Sequence, residues 1–331
     1  MTDAGPDLEV PLEGPASTFG LFRFTIDGRQ APGLFVAGWI ALVVGASASF
    51  VGLLAGRNLA GTLLFAGGMA IILIALVFLG GSQAIERRAS SAAYAGPSPI
   101  LTFAAVIVGW YLTAIAVGTP LRMLGMEVEG PALALLGVAI QGVVVVLLLR
   151  VMVVGTDALS WSDMGLRRPD RAAIREFGLG ALLAWPVVLA TALVVIVLVG
   201  ATGQQPSAPL PATGSSSGLL LNLLAGALIA PVYEELFFRG FTQTAWRRMA
   251  GPTRAIIRST LLFALVHAID QSGDTFAGAL GVAVVATGAR LPVALVLGLV
   301  FDRRRSLWAS IGLHATFNGI LLIVAEQALR A

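Results

Sequence analysis

The sequence predicts an all-α protein, a polytopic transmembrane bundle of about eight or nine membrane helices. Three observations carry that reading. Of the 331 residues, 57% are apolar and 12% charged, against roughly 45–50% and about 25% in soluble domains. Mean hydropathy is +0.89. The apolar residues also fall in long unbroken runs rather than short alternating segments, which favours helices over a closed barrel. So few charges cannot clothe a soluble body of this size. A soluble enzyme, a disordered chain, a fibre and a nucleic-acid binder are therefore excluded.

The opening MTDAGPDLEVPLEGP is acidic and proline-rich and lacks the basic start of a signal peptide, so residues 1–30 read as a polar arm. A helical crossing takes about 20 mostly apolar residues. Candidate spans are 31–56, 59–82, 99–121, 131–155, 174–200, 218–240, 255–269, 276–301 and 306–327. The 255–269 run is short, and Arg290-Leu291-Pro292 interrupts 276–301, so one of these two is expected to be a half-helix or a tilted segment. The connection 201–217, rich in Pro, Ser and Gly, is the one internal boundary. It divides accessory helices over 31–200 from a core over 218–327 that holds nearly all the intramembrane polar residues. Gly61, Gly67, Gly68, Gly278 and Gly281 are expected at close helix contacts. Trp161, Trp246 and Trp308 flank spans and read as interfacial anchors.

All 21 basic residues are arginine, and the net charge is +3. They cluster between apolar runs, at Arg167, Arg168, Arg171 and Arg175, at Arg247, Arg248, Arg254 and Arg258, and at Arg303 to Arg305. The intervening connections carry no basic residue (201–217) or only Asp270 and Asp274. That alternation places the arginine loops, Arg87, Arg88 and the N-terminus on the cytoplasmic side of the cytoplasmic membrane. Arg57, in a short turn, is the exception. The chain has no cysteine, which excludes disulfides, thiolate metal sites and a cysteine nucleophile.

An ionisable side chain inside a membrane span is costly and calls for a reason. The sixth span, NLLAGALIAPVYEELFFRGF, holds Glu234, Glu235 and Arg239; the seventh, LLFALVHAID, holds His267; the last, SLWASIGLHATFNGI, holds His314 and Asn318. These are the only two histidines in the chain. Glu235 and Arg239 are i,i+4 with the acid first, the better order for a pair, while Glu234 points about 100° away around the helix. His314 and Asn318 share a face, as do Phe263 and His267. At 1.5 Å per residue, His314 and His267 lie roughly 12–15 Å from the nearest cytoplasmic arginines, and Glu234 roughly 9 Å from a helix end near Gly240. Three spans thus place polar groups in one layer of the cytoplasmic half. Tyr233, Gln243, Asn222 and Gln141 read as packing residues. A carboxylate with a histidine can deprotonate a water, and a histidine with an asparagine can bond a developing oxyanion. Alternatively, Glu235 with His267 and His314 can hold a zinc ion that polarises the water. Both routes end in hydrolysis of an amide or ester bond.

EELFFR (Glu234 to Arg239), FALVH (Phe263 to His267) and HATFN (His314 to Asn318) match, in order, the EExxxR, FxxxH and HxxxN motifs of the CPBP (Abi) family of intramembrane proteases. That family groups type II CAAX prenyl endopeptidases with bacteriocin-processing and self-immunity proteins. The resemblance covers about 218–325 and implies an endopeptidase acting on membrane-embedded or lipid-anchored peptides. It implies Glu234 as the water-activating carboxylate assisted by His267, His314 and Asn318 at the oxyanion, and Glu235 with Arg239 orienting them. The family carries a metalloprotease label, and a metal-independent glutamate mechanism has been argued for its CAAX members. Two rival readings are a non-proteolytic scaffold or immunity factor of the same family, and a proton-coupled transporter. A transporter would place its polar residues near the midplane and often repeats its halves; no such repeat is present here.

Overall fold

The computed structural model describes residues 24–26, 29–31, 33–56, 58–125, 129–205, 208, 210–269 and 271–331. Within them nine helices follow one another: α1 Gly33–Leu54, α2 Leu59–Ala89, α3 Pro99–Met123, α4 Pro131–Val154, α5 Arg171–Thr202, α6 Ser216–Ala250, α7 Pro252–Val266, α8 Phe276–Arg304 and α9 Leu307–Arg330. All but α7 are long and apolar enough to cross a membrane, giving eight candidate spans. The protein is an integral membrane protein, and its apolar residues are exposed as lipid-facing ones are: Leu182, Leu189, Leu193 and Ile196 run bare along α5. The polar arm expected over 1–30 lies outside the described residues, except for a short antiparallel pair, Phe24–Ile26 with Arg29–Ala31. Arg57 and Asp270 also lie outside them.

The half-helix is α7, 15 residues long. By contrast α8 runs unbroken through Arg290-Leu291-Pro292, because a membrane helix can absorb a proline where neighbouring helices and local adjustment re-satisfy the backbone. Starts are fixed locally. Asn58, Asp170, Ser215 and Thr275 accept the N–H three residues on with their side chains, and Pro99, Pro131 and Pro252 open α3, α4 and α7, where a missing N–H costs nothing. Between α6 and α7 the chain reverses at Gly251, whose φ of +82° only glycine adopts freely.

The 218–240 span proves to be part of a longer helix. α6 continues to Ala250, because the polar residues that suggested a loop find partners. Gln243 Nε2 donates to Gly298 O at 2.9 Å, Arg247 pairs with Asp302 at 3.2 Å, and Arg248 pairs with Asp163 at 2.8 Å. Trp246, expected at the interface, is buried within this stretch. Two segments of α6, Leu223–Ile229 and Leu236–Gln243, are π-helical.

Helix α6 packs against α4 on one side and α7 and α9 on the other, with α5 lying across α8 and α9 and the α1–α2 hairpin outside α3. Small residues set the closest approaches, as expected for membrane helices. A Cβ on Gly45 would lie 2.8 Å from Gly68 O, and one on Gly180 or Gly312 would overlap a carbonyl oxygen of the facing helix, Ala309 or Phe177. Gly67, in contrast, faces open space and Gly278 meets only its own cap, Thr275. At the arginine-rich end the 155–170 loop ties the bundle: Leu307 N donates to Gly165 O at 3.1 Å and Trp308 Nε1 to Arg167 O at 3.1 Å.

Candidate active site

The site is assembled on α6 where the α-helical turn Ala230–Glu235, which carries both acids, runs into the second π-helical segment, which carries Arg239. Arg239 and Glu235 stand one turn apart with Nη1 to Oε1 at 3.0 Å, and both side chains are fully buried. Arg239 also donates through Nη2 to Ala294 O of α8 at 3.2 Å, and its guanidinium lies 4.4 Å from the Phe263 ring centroid of α7. Gln243 and Arg239, spaced i,i+4 on α6, thus reach Gly298 and Ala294, spaced i,i+4 on α8. Two rungs lock α6 to α8 and fix the guanidinium. Ser259 of α7 adds a bond from its hydroxyl to Phe238 O, 3.1 Å.

His314 of α9 bridges the two adjacent carboxylates. Its Nδ1 lies 2.8 Å from Glu235 Oε1 and its Nε2 lies 3.8 Å from Glu234 Oε2. Since the Glu235 oxygen accepts, the neutral ring carries its proton on Nδ1 and turns the Nε2 lone pair toward Glu234. The two acids therefore differ in kind. Glu235 is sealed, whereas Glu234 keeps 19% of its side chain exposed and lines a small chamber with Phe103, Val106, Trp110, Val145, Tyr233, Phe237 and Phe238.

His267 caps the end of α7, with Nδ1 2.8 Å from Phe263 O and its ring 4.9 Å from the Phe263 ring. Phe263 is the hub that the motif spacing did not single out as a site residue. It touches His267, the Arg239 guanidinium, and His314 at 5.6 Å between centroids. Asn318 Nδ2 donates to Gly226 O at 2.8 Å. The reason is local: the N–H of Ala230 bonds Ala225 O, so in this π register Gly226 O would look to residue 231, which is proline and has no N–H. Asn318 supplies the missing donor. The structure thus brings Glu234, Glu235, Arg239 and His314 into one contact set, with His267 joined through Phe263 and Asn318 anchored a few turns up α6.

For a divalent metal the fit is poor. One buried oxygen, Glu235 Oε2, has no hydrogen-bond partner. Yet among the described residues no three His, Cys, Asp or Glu side chains are grouped to hold an ion, and Glu235 Oε1 is shared by Arg239 and His314.

Residues 216–320 match the Rce1-like family of type II CAAX prenyl endopeptidases. The Rce1-like segment runs from the start of α6 into α9 and contains every residue of the contact set, in agreement with the family resemblance of its motifs. The matched family is one of proteases, and α1 to α5 lie outside the match. No curated protein and no solved structure matches the chain. Among residues read as packing, Gln141 and Tyr233 join α4 to α6, their Oε1 and hydroxyl 3.0 Å apart, and Asn222 donates to Pro211 O at 2.9 Å. Glu326, 1% exposed and bonded by Thr213 N, escaped sequence reading because it sits near a chain end, where an acid needs no explanation.

Proposed function

We propose that this protein is an intramembrane endopeptidase that cleaves membrane-associated peptides with a water activated by Glu234. One observation carries the reading: a single imidazole, His314, turned toward two consecutive carboxylates, one sealed and paired with arginine, the other reachable. A water within hydrogen-bond distance of both Glu234 Oε2 and His314 Nε2 fits at the apex of their 3.8 Å separation. Glu234 removes one proton as the water oxygen attacks the scissile carbonyl carbon. The C–N bond then breaks, and Glu234 returns the proton to the departing amine.

Because His314 gives Nδ1–H to Glu235, we assign it to orienting the water. Asn318, whose amide has a second N–H beyond the one held by Gly226 O, is assigned to the oxyanion. His267, its Nδ1 committed to Phe263 O, is assigned to assisting Glu234. Arg239 pairs with Glu235, the acceptor for His314 Nδ1. The arginine-rich end is assigned to the cytoplasm, so substrate is taken from the inner half of the bilayer.

Cleavage of a membrane-peptide library by protein reconstituted in liposomes tests this. Glu234→Gln should lower the rate at least about 10²-fold, the usual worth of a general base, without loss of folding. Undiminished cleavage by that variant would reject the assignment.

A further inference from the structure

Between α3 and α4 lies a cleft of about 230 Å³, lined by Trp110, Thr113, Leu136, Gly137, Ile140 and Gln141 among others. The chamber onto which Glu234 opens is far smaller, about 10 Å³, barely the room one water needs, about 10–15 Å³. Trp110 lines both. At the boundary stands Tyr233, the residue before Glu234. Its hydroxyl donates to Gln141 Oε1 at 3.0 Å, and its ring meets Trp110 edge-on at 6.4 Å. Gln141 holds the other wall as well, since its backbone oxygen accepts Trp110 Nε1 at 3.2 Å. The ring leans on bare backbone: a Cβ at Gly142 would come within 3.0 Å of it.

We propose that Gln141 is a positioning residue for Glu234, acting through Tyr233, and that the Gln141–Tyr233 bond bars the α3/α4 cleft from the Glu234 chamber. Gln141 lies in the interior of a membrane helix, where a polar side chain needs a reason. One residue joins three helices at this level, α3 through its backbone oxygen and α6 through its side-chain oxygen, from its place on α4. It restrains the side chain next to the acid, and rotation of the Tyr233 ring would join the two cavities. This places a control on the acid in helices outside the Rce1-like segment. The purpose of the bar rests on the hydrolytic reading above, but its existence does not.

The chain has no cysteine, so Val106→Cys, in the chamber wall and 1% exposed, gives a unique thiol. Its rate of labelling by N-ethylmaleimide in liposomes reads access to the chamber, and needs no cleavage. Gln141→Leu and Tyr233→Phe should each speed labelling by about tenfold, the worth of one lost hydrogen bond, and the double variant no further. In the cysteine-free background each should lower kcat with KM unchanged. Unchanged labelling in both folded single variants, or a lower unfolding midpoint with no change in labelling, would overturn the proposal and leave Gln141 as interhelical glue. Loss of cleavage in Glu234→Gln with unchanged labelling here would sink the bar alone. Faster labelling here with retained cleavage in Glu234→Gln would sink the hydrolytic assignment alone.

Discussion

Replacing Arg239 with methionine while Glu235 stays in place tests whether the buried pair serves stability or chemistry. The substitution removes the 3.0 Å bond to Glu235, the 3.2 Å bond to Ala294 O and the cation over Phe263 at 4.4 Å. What remains is a fully buried carboxylate with His314 as its one bonded neighbour and a second oxygen already without a partner. Breaking a buried pair from one side costs about 3–5 kcal/mol, mostly because a charge is stranded. Glu235→Leu combined with Arg239→Met strands nothing on Glu235 and should recover most of that loss, since an apolar pair of similar volume is often neutral. Activity should not recover, because His314 Nδ1 has lost its acceptor and the ring is free to turn. Reversible unfolding in mixed micelles gives the stabilities, and peptide cleavage gives the rates. A double variant as unstable as the single one would show the pair to be a net stabiliser. A double variant that cleaves normally would refute the orienting role of Glu235.

Asn318→Leu separates glue from catalysis. An interhelical hydrogen bond in a membrane is worth about 0.6–1.7 kcal/mol, whereas loss of an oxyanion donor costs about 10²–10³ in kcat, so a small stability change with a large kcat loss is expected. Gly312→Ala drives a methyl group into Phe177 O and should cost about 1–3 kcal/mol as α5 and α9 part, whereas Gly137→Ala, with nothing near its Cβ, should be neutral or slightly stabilising; thermal unfolding of both reads the contrast. At the arginine-rich end, hydrogen bonds from Ser160, with help from Arg248, hold the Asp163 carboxyl below its usual range. Its contribution is therefore present above the ordinary aspartate value and fades as pH falls through its lowered one. Asp163→Asn should lose less than about 1 kcal/mol at pH 7, given its exposure, and nothing further in strong acid. A difference that persists undiminished in strong acid would contradict the linkage.

The spans were legible because hydropathy integrates over twenty residues, and one local exception does not erase the signal. The same averaging misplaced the end of α6. Gln243, Arg247 and Arg248 look like a loop until Gly298, Asp302 and Asp163 are known to face them, and those partners are 55, 55 and 85 residues away in sequence. The pairing of Glu235 with Arg239 was readable from i,i+4 spacing alone. The choice of His314 over His267 as the imidazole beside the acids was not, for both lie at similar helical depth. It is decided by α9 packing directly on α6 while α7 ends at the residue before His267. Asn318 on Gly226 is half legible: Pro231 announces an orphaned carbonyl upstream, but which side chain answers it depends on tertiary packing.

These differences have one physical source. Within a helix, spacing fixes which groups share a face, so contacts inside a motif can be read directly. Between helices, the register depends on where backbones come close, and here that is set by glycines such as Gly180 and Gly312, which let α9 approach α5. Moving α9 by even one methyl group would disturb the 2.8 Å contact between His314 and Glu235 before it broke any bond within a motif. The geometry of the proposed site is thus sensitive to the accessory face of α9 as well as to the motifs themselves. Gly312→Ala should therefore lower the cleavage rate even under conditions in which the protein stays fully folded. A variant that is folded, destabilised and undiminished in rate would show that α9 can shift without moving His314.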